Sequence, residues 1–250
     1  MTMLYIEGAN GISGDMTVAA LLDLGADRTR LDKALKSIPR EFHYAVTRKK
    51  SYGLDGCDFD VQLTHTHSHE QAHEHNHHNH RHLKDVFDII DAADMTDRAR
   101  DKAKKIFEIV AKAESKAHGC AIEDVHFHEV GAMDSIVDII SAAVLWDSLD
   151  VDSCIVTGLT EGHGFIECQH GTLPVPVPAV FHIAEAHQIP LRPVDVTGEM
   201  VTPTGIAIAA ALRTHDALPA AYTVLKQGIG IGKRDFGRPN CLRLLLIRPA

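Results

Sequence analysis

The sequence predicts a mixed α/β (α+β) fold, a sheet covered by helices, with a flexible histidine-rich loop. Three observations carry this. Short apolar, β-branched runs stand at the start, middle and end of the chain: Met3–Glu7, Ser153–Leu159, Tyr222–Lys226 and Cys241–Ile247. Between them lie longer segments whose apolar residues recur at helical spacing. One internal tract, His65 to His80, contains a single apolar residue, Ala72, and cannot fold onto a core.

The N-terminal run Met3–Glu7 reads as a short buried strand. Gly8 to Asp15 is a glycine-rich turn, and Met16 to Leu24 is helical with Gly25 as its C-terminal cap. The glycine spacing, G-x-x-G-x-x-G, matches neither a dinucleotide fingerprint nor a Walker loop. Asp15 is either a helix N-cap or, with Glu7, an acidic ligand at one end of the sheet. Leu31 to Ile38 is a second helix ended by Pro39, and Phe42 to Leu63 reads as a hairpin with turns at Gly53 and Gly56.

Eighteen histidines are present, nine of them from His65 to His82. Such tracts bind late first-row metals through neutral imidazoles, so residues 64–80 are expected to form a disordered metal-holding loop. Leu83 to Ala93 and the stretch after Thr96, an N-cap, give two scaffold helices, the second ended by Gly119. His118 reads as a partner of that helix's C-terminal dipole.

The richest stretch is His126-Phe127-His128-Glu129-Val130-Gly131-Ala132-Met133-Asp134-Ser135-Ile136-Val137-Asp138. In extended backbone His126 and His128 share a face. From Met133 the pattern is helical, with Asp134 and Asp138 four apart on one face of the most apolar helix in the chain. Buried carboxylates need a partner. Either His126, His128, Glu129 and the two aspartates form a metal or catalytic site, or Asp134 caps the helix and Asp138 meets a distant lysine or arginine.

Further on, His163 and His170 are flanked by glycines and accessible to a ligand. Leu173 to Pro178, with alternating prolines, is an extended connector rather than a central strand. Pro178 to His187 is helical. Thr202 at N-cap and Pro203 at the first helical position open a helix to about Arg213. The hydroxyls of Thr202 and Thr204 at that helix start suit one phosphate. Tyr222–Lys226 and Cys241–Ile247 flank a glycine-rich loop, Gly228 to Gly237.

Length and composition narrow the function classes. At 250 residues and 45% apolar the chain can bury one large core or two small ones. A net charge of −9 argues against a nucleic-acid partner. No apolar run approaches the roughly 20 residues needed to span a bilayer, and the N-terminus lacks the pattern of a signal peptide. The expected location is cytoplasmic, with no membrane partner. The five cysteines are scattered and never in a C-x-x-C pair, which fits reduced thiols.

Several pieces, taken in order, resemble the nickel-insertion proteins of the nickel-pincer cofactor pathway, the LarC family that matures lactate racemase. They are Gly11-Ile12-Ser13-Gly14-Asp15-Met16, Arg81-His82-Leu83, His126 to Asp138, His170-Gly171 with the Pro-Val-Pro run, Gly198-Glu199 with Thr202-Pro203-Thr204-Gly205, and Arg238-Pro239-Asn240. Family members usually carry aspartate where this chain has Glu7. The chain stops where the full-length protein would continue into a CTP-binding domain, so residues 1–250 look like the family's N-terminal domain, or its short product.

The resemblance implies nickel insertion into pyridinium-3,5-bisthiocarboxylic acid mononucleotide, a chelatase of the lyase class, with CTP and manganese or magnesium used through the absent domain. It implies His126, His128 and Glu129 as metal ligands or proton acceptors, with Asp134 and Asp138 orienting the imidazoles or joining the metal. Asp15 is a further carboxylate for the chemistry, beside Glu129 and Asp134. His82 would pass nickel from the tract to the site, and His170, Thr202 and Thr204 would face the mononucleotide. Expected partners are that mononucleotide, the C-terminal domain or long form of the same protein, a lactate racemase-type apoenzyme downstream, and a second copy in a homo-oligomer. The alternative is a nickel storage or delivery protein without catalysis. A metal-dependent hydrolase is weaker, because no nucleophile stands out.

Overall fold

The computed structural model describes residues 2–39, 42–64, 81–125, 127, 133–151, 153–168 and 171–250. In chain order the elements are β1 (Met3–Glu7), α1 (Gly14–Leu24), α2 (Arg28–Ser37), β2 (Phe42–Ser51), β3 (Leu54–Leu63), α3 (Leu83–Ala92) and α4 (Asp97–His118). A 3₁₀ turn, Ile122–Asp124, precedes α5 (Met133–Ser148). Then follow β4 (Ser153–Ile155), β5 (Leu159–His163), β6 (Phe165–Cys168), β7 (Gly171–Pro174), α6 (Pro178–His187), β8 (Leu191–Thr197), α7 (Pro203–Leu212), β9 (Tyr222–Ile231) and β10 (Cys241–Pro249). The expected mixed α/β fold is what forms.

Six strands make the main sheet in the order β2-β3-β9-β10-β1-β4. β1 pairs antiparallel with β10 and parallel with β4. Its alternation divides the core by the period of a strand. Leu4 and Ile6 point into the large cluster under the helices. Met3 and Tyr5 point the other way, to a small cluster with Ile155, Leu245 and Ile247. Helix α1 lies against β3, β9 and β10, and α5 packs beside it, backed by α4. Two short pairs, β5 with β8 and β6 with β7, sit outside the main sheet, and β5 is tied to the end of β1 by Thr160 N–H donating to Gly8 O at 2.8 Å.

Gly228 and Gly230 are not loop residues, as their glycine-rich context suggested, but lie within β9. Their role is close approach: a Cβ at Gly230 would sit 2.0 Å from Met16 O, on the backbone of α1. Gly56 likewise belongs to β3, and the hairpin turns only at Tyr52 and Gly53. The run expected as one strand from Ser153 to Leu159 breaks into β4 and the start of β5. Pro178 opens α6 at its first position, as its fixed φ and missing N–H allow. Residues 65–80 lie outside the described residues, so the expected histidine-rich loop does too. No helix among the described residues is long and apolar enough to cross a membrane.

Candidate functional site

Three helix starts converge on one pocket. Its walls are Ser13, Gly14 and Asp15 at the head of α1, Asp134, Ser135 and Asp138 from α5, and Glu199, Thr202, Pro203 and Thr204 at the head of α7, closed by Val61 and Lys233. The cavity measures about 310 Å³. Each helix start presents N–H groups and the positive end of a macrodipole, which is what allows so many carboxylates to share one space.

The loops that carry these helices are laced together. Ile12 N–H donates to Met200 O at 2.9 Å, and Thr202 N–H donates back to Ile12 O at 3.0 Å. Below them Glu161, buried at 1% exposure, gathers three backbone amides on Oε1: Met200 at 2.7 Å, Gly162 at 2.8 Å and Val201 at 3.2 Å. Burial pushes its carboxyl up, and those same amides pull it back. Thr202 caps α7, its Oγ1 accepting from Gly205 N–H at 3.1 Å.

Ser13, and not Asp15, is the N-cap of α1. Asp15 sits one residue further in, where its Oδ1 accepts from Ser13 Oγ and from Met16 N–H at 2.8 Å. Its Oδ2 lies 3.8 Å from Lys233 Nζ. Asp138 approaches α1 from α5, in a space that exists because residue 14 has no side chain. A Cβ there would fall 2.4 Å from Asp138 Oδ2. Burial, and then the neighbouring Asp15 and Asp134, hold the Asp138 carboxyl well above the usual carboxylate range, against Lys233 and the Asp15 backbone N–H. Asp138 Oδ1 is sealed from solvent with no hydrogen-bond partner among the described residues. Asp134, in the first turn of α5, is exposed to the cavity.

Lys233 answers the acidic side. Burial would lower its pKa, but Asp60, Asp15 and Asp138 hold it above the ordinary lysine value. Glu199, 8% exposed, places Oε2 3.3 Å from Arg234 Nη1. Among the described residues no group of three or more His, Cys, Asp or Glu side chains is arranged to hold a metal ion. His126, His128, Glu129 and His170 lie outside the described residues.

Of the expected site residues, then, the pocket gathers Asp15, Asp134, Asp138, Thr202 and Thr204. His82 is elsewhere: it starts α3, its N–H donating to Asp85 Oδ2 at 2.9 Å. Its neighbour Arg81 bridges to Phe127, which packs edge-on against Phe107 with centroids 5.1 Å apart. Glu7 is no pocket ligand, since it is paired across the sheet with Arg243 at 2.6 Å. His163 faces Asp195 at 3.0 Å, and His118 lies 3.5 Å from Glu114. Sequence reasoning missed Lys233, Asp60 and Glu161. Lys233 stands in the glycine-rich segment Ile229-Gly230-Ile231-Gly232-Lys233, a signal read only as a loop.

The fold and the pocket define an α/β protein with a cavity lined by carboxylates, one lysine and three helix starts. The chain belongs to the nickel insertion protein family, whose model matches residues 4–250. It is 51% identical to a pyridinium-3,5-bisthiocarboxylic acid mononucleotide nickel insertion protein of Alkaliphilus metalliredigens, over 98% of this chain and 60% of the relative. Proteins of the same name from Acetivibrio thermocellus (98% and 60% covered) and Staphylococcus epidermidis (97% and 58%) are 42% and 38% identical. The chain thus spans about 60% of the length of these curated relatives. No solved structure matches it.

Proposed function

We propose that this chain holds nickel and transfers it to pyridinium-3,5-bisthiocarboxylic acid mononucleotide, the compound for which its relatives are named. The observation that carries this is the convergence of Asp15, Asp134 and Asp138 with the starts of α1, α5 and α7 around one cavity of about 310 Å³. Nickel is cargo here. The carboxylates, with His126, His128 and Glu129 from the adjoining stretch, form an oxygen and nitrogen donor set that binds Ni²⁺ yet yields it to softer sulfur. The N-terminus of α7, with Thr202 and Thr204, receives the substrate's phosphate, with His170 beside the substrate.

Thiocarboxylic acids lose protons when they bind a metal, and Asp15, Glu129 and Asp134 are the acceptors in this reading. His82, beside the bridge from Arg81 to Phe127, relays nickel from the histidine tract. CTP with manganese or magnesium belongs to the part of the relatives' length that this chain does not span. The product serves a lactate racemase-type apoenzyme, in the cytoplasm. The test is nickel transfer from loaded protein to the mononucleotide, followed by the absorbance of the new nickel–sulfur bonds. Asp134→Asn and Asp15→Asn should each slow it by about 10–100-fold. Stoichiometric nickel binding with no transfer, even when the relatives' remaining segment is supplied, would leave storage or delivery as the function, the reading the histidine tract favours.

A further inference from the structure

Glu161 is a carboxylate that the proposed transfer leaves without a task, and it lies 1% exposed on β5. Its Oε1 takes three backbone N–H groups, from Met200 at 2.7 Å, Gly162 at 2.8 Å and Val201 at 3.2 Å. Its Oε2 is sealed from solvent with no hydrogen-bond partner among the described residues. Arg234 is the cation that acts on it, and Arg234 is itself engaged with Glu199 at 3.3 Å. A carboxylate buried this way is costly. What offsets the cost is the set of charge-assisted bonds, each roughly twice as strong as a neutral one. They hold the turn 198–202, from which two helix starts of the cavity hang. Met200 and Val201 lead directly into Thr202, the N-cap of α7. Met200 O accepts from Ile12 N–H at 2.9 Å, and Thr202 N–H donates to Ile12 O at 3.0 Å, next to Ser13, the N-cap of α1. No side chain cushions this joint. A Cβ at Gly11 would sit 2.1 Å from Met200 O, and one at Gly205 2.4 Å from Ile12 O. A shift of Met200 therefore passes to α1 and α7 together.

We infer that Glu161 is the positioning residue of the cavity: its carboxylate pins Met200 and Val201 so that the heads of α1 and α7 are aimed into one space. This rests on the reading that the mononucleotide's phosphate meets the head of α7, and it names the residue that aims that helix. A helix start binds an anion only when its free N–H groups point at it. Thr202 Oγ1 already takes the Gly205 N–H at 3.1 Å, so the remaining groups and the Thr204 hydroxyl are aimed by the backbone that precedes them. Glutamine has the size of glutamate but lacks the charge, and it would put an NH2 group where an oxygen now stands sealed without a partner. Aspartate keeps the charge but falls one methylene short.

Amide hydrogen exchange of the full chain, followed by NMR, tests this directly, because four N–H groups report it. Met200 and Val201 donate to Glu161, whereas Ile12 and Thr202 donate across the joint between the loops. Glu161→Gln should speed exchange at all four by about tenfold or more beyond any change in the sheet. It should also weaken binding of the mononucleotide by about tenfold, measured by calorimetry. With Thr204→Val added, affinity should fall no further than in the weaker-binding single variant, since both changes act on one helix start. Ile247→Val, in the small cluster on the other face of the sheet, is the control for lost stability. It should leave the affinity near the parent and speed the four amides no more than those of the sheet. Melting curves check folding, and Glu161→Asp replaces Glu161→Gln should the latter not fold. Faster exchange confined to Met200 and Val201, unchanged affinity where the parent binds, or additive effects with Thr204→Val overturns the inference. If the parent binds no mononucleotide, the functional reading fails by itself. The four amides then decide the positioning role, all four faster upholding it and any lesser pattern overturning it.

Discussion

Replacing Asp138 by asparagine changes one charge and almost no volume, and the structure dictates the sign of the result. The carboxyl is buried, faces Asp15 and Asp134, and has one oxygen unpartnered among the described residues, so its pKa in the folded protein is raised. A raised pKa means that the folded state binds the proton more tightly than the unfolded one. Stability from this group is therefore undiminished below the unfolded value, near pH 3.9, and falls as pH rises from there to the raised folded value. Asparagine escapes that loss. Its amide oxygen can stand where the other carboxylate oxygen accepts the Asp15 N–H. The variant should match the parent in acid and melt higher at neutral pH. Each pH unit of separation between the two pKa values corresponds to about 1.4 kcal/mol, or about 3–6 °C in melting point for a chain of this size. Meanwhile its affinity for nickel should fall by about 10–100-fold. Paired scans at pH 4 and pH 7.5 on metal-free protein, with nickel titrations, read both effects. A variant that melts several degrees lower at neutral pH would refute the reasoning, because it would mean that Asp138 is a satisfied ion-pair member whose loss strands a buried cation.

Other outcomes follow from the same geometry. Gly230→Ala drives a Cβ against Met16 O, a backbone atom, so α1 must lift from β9; a loss of about 1–3 kcal/mol is expected in denaturant titrations, with the pocket loosened as well. Thr204→Val, at a buried position of the same shape, should weaken binding of the mononucleotide severalfold while nickel affinity stays put, measured by calorimetry. Deleting Ser68 to His80 should lower the nickel bound per chain yet leave transfer intact at saturating nickel; complete loss of transfer there would show that the tract is more than a reservoir.

What the sequence displayed of this protein depended on range. Helix ends are local events, so the N-caps Thr96 and Thr202 and the C-cap glycine after α1 could be read directly, and each stands where expected. Asp134 and Asp138 were visible as a pair because four residues make one helical turn. Their convergence with Asp15 and Thr204 was visible only through the family resemblance, since it depends on α1, α5 and α7 meeting in space. Glycine misled for a physical reason. It marks a turn when its φ is positive, but at Gly228 and Gly230 it marks a helix lying on a strand, and nothing local distinguishes the two. Lys233, Asp60 and Glu161 escaped notice because a single charged residue signals nothing until its distant partner is known.

The chemistry of the remaining donors bears on the proposed transfer of nickel. Thiolate is the ligand that would trap nickel, and the buried thiols here are held neutral. Burial pushes Cys57 up to about 11 and Cys154 up to about 12, and it raises Cys241 as well. None of these three lines the pocket. The pocket offers carboxylate oxygens beside helix starts, with Lys233 on its wall. In the proposed function such a set binds a divalent ion through electrostatics more than through covalency, so its hold weakens once a sulfur ligand offers the stronger bond. A substrate carrying two thiocarboxylates is a ligand of that kind, and the direction of transfer then follows from donor softness.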